Sequence, residues 1–242
     1  MEAEPMSSTA PAGVVLVLSR LLLISQAVGA ALRGRGIEAA AASWAEGIQR
    51  ATTELGEDDV VLLFDDLEDR DAVLAAQALI SQSSAQFLVL THRAEGAAWG
   101  AVLASGAAGV MPTGSSLVDV NAALASVRAG GSPLGDVHRT RLMREWFRWL
   151  AEDNALRIRL ASLSPRERET LDLLAEGRRV SDIVVELGVA ETTVRSHIRS
   201  IRRKLHVGSQ LAAVAVVHRM GGSVRTMDGP RPVLPGPRRS AP

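Results

Sequence analysis

The chain has 242 residues and no cysteine, which excludes disulfide scaffolds, thiolate zinc sites and iron–sulfur clusters, and its 47% of hydrophobic residues can bury a core. The formal net charge of zero hides an asymmetry, because residues 1–135 carry seven arginines against fifteen acidic residues, whereas residues 161–242 carry fourteen basic residues against eight acidic ones. A basic C-terminal third joined to an acidic N-terminal part predicts a polyanion-binding module attached to a second domain.

The N-terminal segment carries no targeting signal that we recognise, and residues 1–12 are predicted to be disordered. The apolar run 14–24 is interrupted by Arg20, follows Glu2 and Glu4 where a signal peptide has positive charge, and is shorter than the roughly 20 residues of a membrane helix. We therefore expect a cytoplasmic protein without a membrane partner.

Short apolar runs alternate with longer amphipathic stretches through residues 13–131, the first predicted domain. The predicted strands are 14–18, 37–42, 60–64, 87–91 and 109–112, and the predicted helices lie near 21–33, 44–55, 69–82, 95–105 and 116–129. Because right-handed crossovers place helices on both faces of a parallel sheet, this pattern predicts an α/β, doubly wound, five-strand flavodoxin-like domain.

Residues 132–160 form a predicted linker helix between the two domains. Its apolar side chains Leu142, Trp146, Trp149 and Leu150 follow helical spacing, with arginines among them. This stripe either packs on its own domain or contributes to an interface with a partner.

The C-terminal segment contains the pattern of a helix-turn-helix. Ser164 and Glu167 have the spacing of a capping box and Pro165 suits the first helical turn, so a helix is predicted from residue 165. A second helix is predicted over 180–187, and Gly188 supplies the left-handed residue that ends it in a tight turn.

The next predicted helix, 191–205, has two different faces. One side carries four apolar residues and is expected to pack: Val194, Ile198, Ile201 and Leu205. Arginine reads guanine with two hydrogen bonds and hydroxyls reach phosphate oxygens. The predicted DNA-contacting residues are Thr192, Thr193, Arg195, Ser196, Arg199, Arg203 and Lys204. The alternative is a basic face that contacts only solvent.

These segments resemble a known family. The sequences LSPRERETLDLLAEG at 163–177, DIVVELGV at 182–189 and TTVRSHIRSIRRKLHV at 192–207 are similar to the LuxR-type DNA-binding domain. The resemblance implies an all-α, four-helix domain over 161–220 whose third helix enters the major groove, with Arg195 at a position that is usually basic and contacts DNA.

Two features depart from that family. Ala190 stands where a serine often caps the recognition helix, a loss of about 1 kcal/mol if nothing replaces it. Val180 and Ser181 stand where polar and basic residues are common, so fewer DNA contacts are expected from the second helix.

The last predicted helix begins near residue 209 and is apolar throughout 211–217. In related domains this helix forms the dimer interface, which implies a homodimer through Leu211, Val214 and Val217. The alternative is cover by the tail 221–242, which is itself predicted to be disordered.

An α/β domain before such a module resembles the receiver domain of NarL/FixJ-class response regulators. That resemblance implies an acidic pair after the first strand for Mg²⁺, a phosphate-accepting aspartate after the third, a threonine or serine after the fourth and a lysine after the fifth. The metal and the lysine neutralise the charge of the transferred phosphoryl group.

This sequence keeps few of those groups. Ser19 and Arg20 occupy the positions of the acidic pair, so no metal is expected. Phe64 falls on the acceptor position, with Asp65 and Asp66 just beyond it. A shift of one residue along a strand reverses the direction of the side chain, although a strand end can bulge.

The remaining positions complete a predicted degenerate receiver pocket. Thr91 retains the hydroxyl after the fourth strand, and Thr113 replaces the lysine. We expect Arg20 to pair with Asp65 or Asp66 and to take the place of the metal, because a guanidinium binds a carboxylate through two hydrogen bonds.

The function predicted from these observations is a sequence-specific transcriptional regulator of double-stranded DNA, without enzyme activity or cofactor, whose receiver-like domain works without aspartyl phosphorylation. Its expected partners are a second copy, RNA polymerase and a small-molecule or protein signal. The alternatives are a phosphorylation-dependent regulator using Asp65 or Asp66, and a module that sequesters another regulator.

A flavodoxin-like enzyme is disfavoured because Lys204 is the single lysine and no nucleotide-binding loop is present.

Overall fold

The computed structural model describes residues 13–220, and the segments 1–12 and 221–242, both predicted to be disordered, lie outside that range. The chain divides into a first compact unit that ends at Trp149 and a second that begins at Leu150. The predicted domain boundaries were 131 and 161, so the first half of the predicted linker helix belongs to the first unit.

The first unit is built on a five-stranded parallel sheet in the order β2-β1-β3-β4-β5. Its strands are β1 (Val15–Ser19), β2 (Ala39–Ala42), β3 (Val60–Phe64), β4 (Gln86–Thr91) and β5 (Gly109–Pro112). All five predicted strands are present. Strand β2 starts two residues later than predicted, because the amide of Ile37 donates to the carbonyl of Leu32 in the preceding helix instead of joining the sheet.

Five helices connect and cover these strands. They are α1 (Leu22–Arg33), α2 (Trp44–Thr53), α3 (Arg70–Gln82), α4 (Ala97–Ala104) and α5 (Leu117–Arg128). Helices α1 and α5 pack on the sheet face that carries Val17 and Leu62. The alternate residue Leu18 is buried on the opposite face, where α2 approaches it at Gly47. The doubly wound fold is therefore confirmed.

Helix α6 (Asp136–Ala161) contributes its first half to this unit by packing on α4. Leu142 and Trp146 are buried, and a Cβ built on Gly100 of α4 would lie 2.1 Å from the carbonyl oxygen of Leu142. Glycine is therefore required here by close approach of two helices. The guanidinium of Arg139 donates to the carbonyls of Leu103 and Ala108.

The second unit contains the end of α6 and four further helices, as predicted. They are α7 (Pro165–Ala175), α8 (Val180–Leu187), α9 (Glu191–Leu205) and α10 (Gln210–Arg219). One apolar cluster joins α6, α7, α9 and α10 around Leu160, Leu171 and Ile201. A second joins α7, α8 and α9 around Leu174 and Ile183. Within residues 13–220, no helix is long and apolar enough to cross a membrane.

Candidate DNA-binding interface and receiver-like pocket

Two local signals position the helix-turn-helix. The hydroxyl of Ser164 accepts from the amide of Glu167 at 3.3 Å, and the amide of Ser164 donates to the Glu167 carboxylate at 2.7 Å, so the predicted capping box starts α7. Gly188 ends α8 with φ 63° and ψ 35°, the left-handed conformation that glycine adopts without steric cost. After this turn the next helix, α9, runs in a different direction from α8.

Helix α9 presents the two predicted faces. Val194, Ile201 and Leu205 are buried against the rest of the unit. The opposite side is exposed and carries the hydroxyl and arginine residues predicted to contact DNA, namely Thr192, Thr193, Arg195, Ser196, Arg199 and Arg203. A helix with one packed face and one free basic face can enter the major groove without disturbing its own core.

The start of α9 lacks the usual cap. Ala190 makes no side-chain hydrogen bond to the first turn, as its residue type predicts. Glu191 follows it, and a carboxylate in the first turn is stabilised by the partial positive charge of the helix N-terminus. That carboxylate also pairs with Arg195, whose guanidinium lies 2.7 Å from it at the protein surface.

The end of α9 adds two basic side chains that the sequence reasoning did not include. Arg202 and His206 line a shallow depression together with Arg199 and Arg203. Arg202 donates to the carbonyl of Gly208, which directs it toward the end of the helix. The available signal was the unbroken basic run 202–204, whose first member does not fall on the strictly groove-facing side of a helical wheel.

Lys204 has a different environment from the one predicted. Its ammonium group lies 2.7 Å from a carboxylate oxygen of Glu167, a buried residue, and also donates to the carbonyl of Ser162. Burial alone would raise the pKa of Glu167, but hydrogen bonds from Lys204, Ser200 and the Ser164 amide lower it to about 2. We correct the prediction for Lys204, because this lysine ties α9 to α7 rather than extending toward DNA.

The predicted dimer residues on α10 also separate into different environments. Val217 is completely buried in the apolar cluster of its own unit, so the prediction that it forms a dimer contact is wrong. Val214 is half-buried against the cluster around Ile183. Leu211 remains 78% exposed. Ala213 and Val217, one turn apart on α10, face the core of the unit. The exposed side of the helix carries Leu211.

The receiver-like pocket lies at the carboxyl edge of the sheet, where β1 and β3 end side by side with Ser19 paired to Phe64. It is a cleft of about 560 Å³ in which five of the six predicted pocket residues come together: Ser19, Arg20, Asp65, Asp66 and Thr113. Phe64 occupies the wall of this cleft with its ring packed toward the core. The sixth residue, Thr91, is buried beside it.

Arg20 forms the predicted ion pair with Asp65. The Nε atom of Arg20 lies 3.4 Å from Oδ2 of Asp65, whose side chain is only 3% exposed. The other carboxylate oxygen accepts from the amide of Leu67 at 2.9 Å, and the Arg20 guanidinium stacks 4.5 Å from the ring centroid of Trp44. The positively charged guanidinium of Arg20 thus faces the Asp65 carboxylate, and each oxygen of that carboxylate already has a partner.

Asp66 points to a different partner. Its carboxylate lies 2.5 Å from Nδ1 of His92, and its carbonyl accepts from the hydroxyl of Thr91 at 3.0 Å. The two neighbouring aspartates therefore bind separate side chains, Asp65 that of Arg20 and Asp66 that of His92. Within the described residues, no three His, Cys, Asp or Glu side chains converge as a metal-binding group.

Comparison with known proteins gives one family model and several relatives. Residues 161–217 match the model of bacterial regulatory proteins of the luxR family. The nitrate/nitrite response regulator protein NarP of Escherichia coli K12 is 29% identical over 168 residues, which cover 68% of this chain and 75% of NarP. The spore germination protein GerE of Bacillus subtilis is 41% identical over 59 residues, which cover 24% of this chain and 80% of GerE. The probable transcriptional regulatory protein NarL of Mycobacterium tuberculosis is 45% identical over 53 residues, covering 22% of this chain and 24% of that protein.

Proposed function

We propose that this chain, a DNA-binding transcriptional regulator of the response-regulator type whose C-terminal domain belongs to the luxR family, is controlled without phosphorylation of its receiver-like domain. The observation that carries the proposal is the ion pair between Arg20 and the buried Asp65. Arg20 stands where a phosphate-accepting receiver would bind its magnesium ion. A guanidinium there repels a divalent cation, and without that cation the charge on a transferring phosphoryl group is not neutralised.

The other pocket positions support the same conclusion. Phe64, the last residue of β3, cannot accept a phosphoryl group, and Thr113 carries no charge to bind one. Asp65 is held by Arg20 and by the amide of Leu67, so its oxygens are not free for attack on a phosphoryl donor. We infer that the domain responds to a small molecule or a protein partner instead.

Acetyl phosphate with Mg²⁺ provides the direct test of phosphorylation independence. Treated protein is expected to keep its mass and its affinity for DNA, because Arg20 stands at the expected metal position and Phe64 at the expected acceptor position. Arg20→Ala is expected to lower the free energy of unfolding by at most about 1 kcal/mol, since the Arg20 side chain is 56% exposed and solvent screens the pair.

Intact mass, peptide mapping and a gel-shift titration give the three readouts for that experiment. A stable phosphoryl adduct on Asp65 or Asp66 that raises DNA affinity would establish the phosphorylation-dependent alternative. Arg50→Ala serves as a matched control for Arg20→Ala, because Arg50 forms a surface pair with Glu54 outside the cleft.

We further propose that the exposed face of α9 enters the major groove. Arg195 near the start of the helix reads a base, the threonine and serine hydroxyls reach phosphate oxygens, and the arginines near the end contact the backbone. Two copies bind together, with Leu211 as a large exposed apolar residue of α10 that remains available for a dimer contact. A regulator bound in this way acts on RNA polymerase in the bacterial cytoplasm.

Arg195→Ala is expected to weaken specific binding by about 1 to 3 kcal/mol and to relax discrimination at one base pair. Arg203→Ala is expected to weaken binding to all sequences alike, because it removes one phosphate contact. The slope of the logarithm of the binding constant against the logarithm of the salt concentration should fall in magnitude by about 0.9. Titrations of operator and scrambled DNA at several salt concentrations separate the two effects.

Arg35→Ala is a charge-matched control for both variants, because Arg35 is an exposed residue of the receiver-like unit. It should leave binding unchanged. Equal losses of discrimination in Arg195→Ala and Arg203→Ala would show that the base-reading end of α9 is wrongly assigned.

A further inference from the structure

We propose that Glu95 is a positioning residue that carries the state of the receiver-like pocket to helix α6. The inference rests on the proposed function, in which that pocket acts without a phosphoryl group. It identifies the side chain through which a structural change in the pocket is transmitted to α6. Glu95 belongs to the β4–α4 loop, which we define as residues 92–96.

On the α6 side, Glu95 contacts two residues in the first turns of the helix. One carboxylate oxygen accepts from the guanidinium of Arg141 at 2.8 Å, and the other lies 3.1 Å from Nε2 of His138. The hydrogen bond from Arg141 is the main cause that lowers the pKa of Glu95, so the carboxylate stays ionised at neutral pH. A single side chain of the loop thereby binds Arg141 and lies against His138, about one turn earlier in α6.

On the pocket side, the same loop contacts the residues that follow β3. His92 pairs with the carboxylate of Asp66 at 2.5 Å. The Arg93 guanidinium donates to the carbonyls of Leu67 and Glu68. The β4–α4 loop is therefore attached to the pocket at one end and, through Glu95, to α6 at the other.

The segment that Arg93 holds is under backbone strain. Leu67 is a fully buried, non-glycine residue with φ 50°, in the left-handed region that side chains with a Cβ rarely occupy. Such a conformation persists only where surrounding contacts impose it. Here they include the bond from its amide to Asp65 and the bond from Arg93 to its carbonyl. A ligand that displaces Asp65 or Asp66 alters these contacts, and the loop follows.

Helix α6 is able to receive such a displacement as a unit. It is seated on α4 at Gly100, where the backbone of Leu142 approaches closely, and Arg139 fixes its first turn to two carbonyls. A packed helix moves as a rigid body rather than bending locally at each contact. A displacement of the Arg141 side chain therefore acts on the whole first part of α6.

The exposed fractions of the two paired side chains indicate that Glu95 positions α6 rather than stabilises the fold. The side chains of Glu95 and Arg141 are 43% and 52% exposed, and ion pairs this exposed contribute little to stability. Removal of Glu95 should thus leave the thermal midpoint nearly unchanged while it uncouples the pocket from α6. That separation makes the proposal testable.

The experiment uses Asp66→Ala in the full chain to disturb the pocket and hydrogen exchange to read α6. In the otherwise native chain, Asp66→Ala is expected to accelerate exchange of the amides in residues 138–142 and to change operator affinity by about 2- to 5-fold, the most that an exposed ion pair can transmit. In a Glu95→Gln background, the same substitution should change neither quantity further.

Glu145→Gln is the matched control background, because Glu145 also pairs with Arg141, at 3.1 Å, but lies on α6 itself and not on the loop. The response to Asp66→Ala should persist there. Exchanging the charges, with Glu95→Arg and Arg141→Glu together in the Glu145→Gln background so that no second carboxylate faces position 141, should restore the response that Glu95→Gln abolishes.

An undiminished response to Asp66→Ala in the Glu95→Gln background would overturn the proposal. So would the absence of any response in the otherwise native chain. Neither result bears on the acetyl phosphate experiment, so the role of Glu95 and phosphorylation independence fail separately.

Discussion

Val217→Asp is expected to unfold the DNA-binding unit. The Val217 side chain is completely buried in an apolar cluster with Leu171, Ile201 and Leu205. Burial of a carboxylate among apolar side chains costs about 4 kcal/mol or more, a large part of the roughly 5 to 15 kcal/mol that stabilises a whole domain. Circular dichroism should show loss of the helical transition of this unit, and operator binding should disappear.

Leu211→Asp is the matched control on the same helix, because Leu211 is exposed. It should keep the thermal transition and, by charging the proposed dimer contact, reduce both dimer formation in sedimentation and operator affinity. Normal folding of Val217→Asp with loss of the dimer alone would mean that α10 turns its other face outward in solution.

Glu167→Gln is expected to cost about 3 kcal/mol at neutral pH and to flatten the acid denaturation of the second unit. The pKa of Glu167 is lowered to about 2 in the folded state. A group with a lowered folded pKa stabilises the protein above its unfolded pKa, near 4.5, and this contribution is lost as the pH falls toward 2. Urea unfolding of both proteins from pH 7 to pH 2 should show curves that converge at the acid end.

Glu169→Gln controls for the loss of a charge on the same helix. Glu169 pairs with Arg166 at the surface, and exposed pairs of this kind contribute at most about 1 kcal/mol. If Glu167→Gln and the native protein lost stability in parallel as the pH falls, the ion pair with Lys204 would have no part in stability.

The features that could be predicted from the sequence are those set by neighbours along the chain. The alternation of apolar runs and amphipathic stretches predicts the strands and helices, since periodicity reports which face is buried. The capping box of Ser164 and Glu167 and the left-handed turn at Gly188 depend on residues within one helical turn. These elements agree with the structure for that reason.

The features that could not be predicted depend on distant partners. Lys204 lies among basic residues, and nothing near it in the chain shows that Glu167 of another helix will bind it. Val217 belongs to an apolar run in which every residue appears equivalent, and only packing decides which one faces the core. The contact of Glu95 with Arg141 spans 46 positions and carries no local pattern.

Close packing at Gly100 also determines where this protein can be divided. Helix α4 contains only apolar residues and glycine, and α6 covers one side of it at Gly100. A cut at the Gly130–Gly131 pair, where composition suggests a boundary, would leave that side in water and favour aggregation. The autonomous folding module therefore extends to the stacked rings of Trp146 and Trp149, 5.1 Å apart. A gene fusion that exchanged the input domain of this regulator would have to carry the first half of α6 with it.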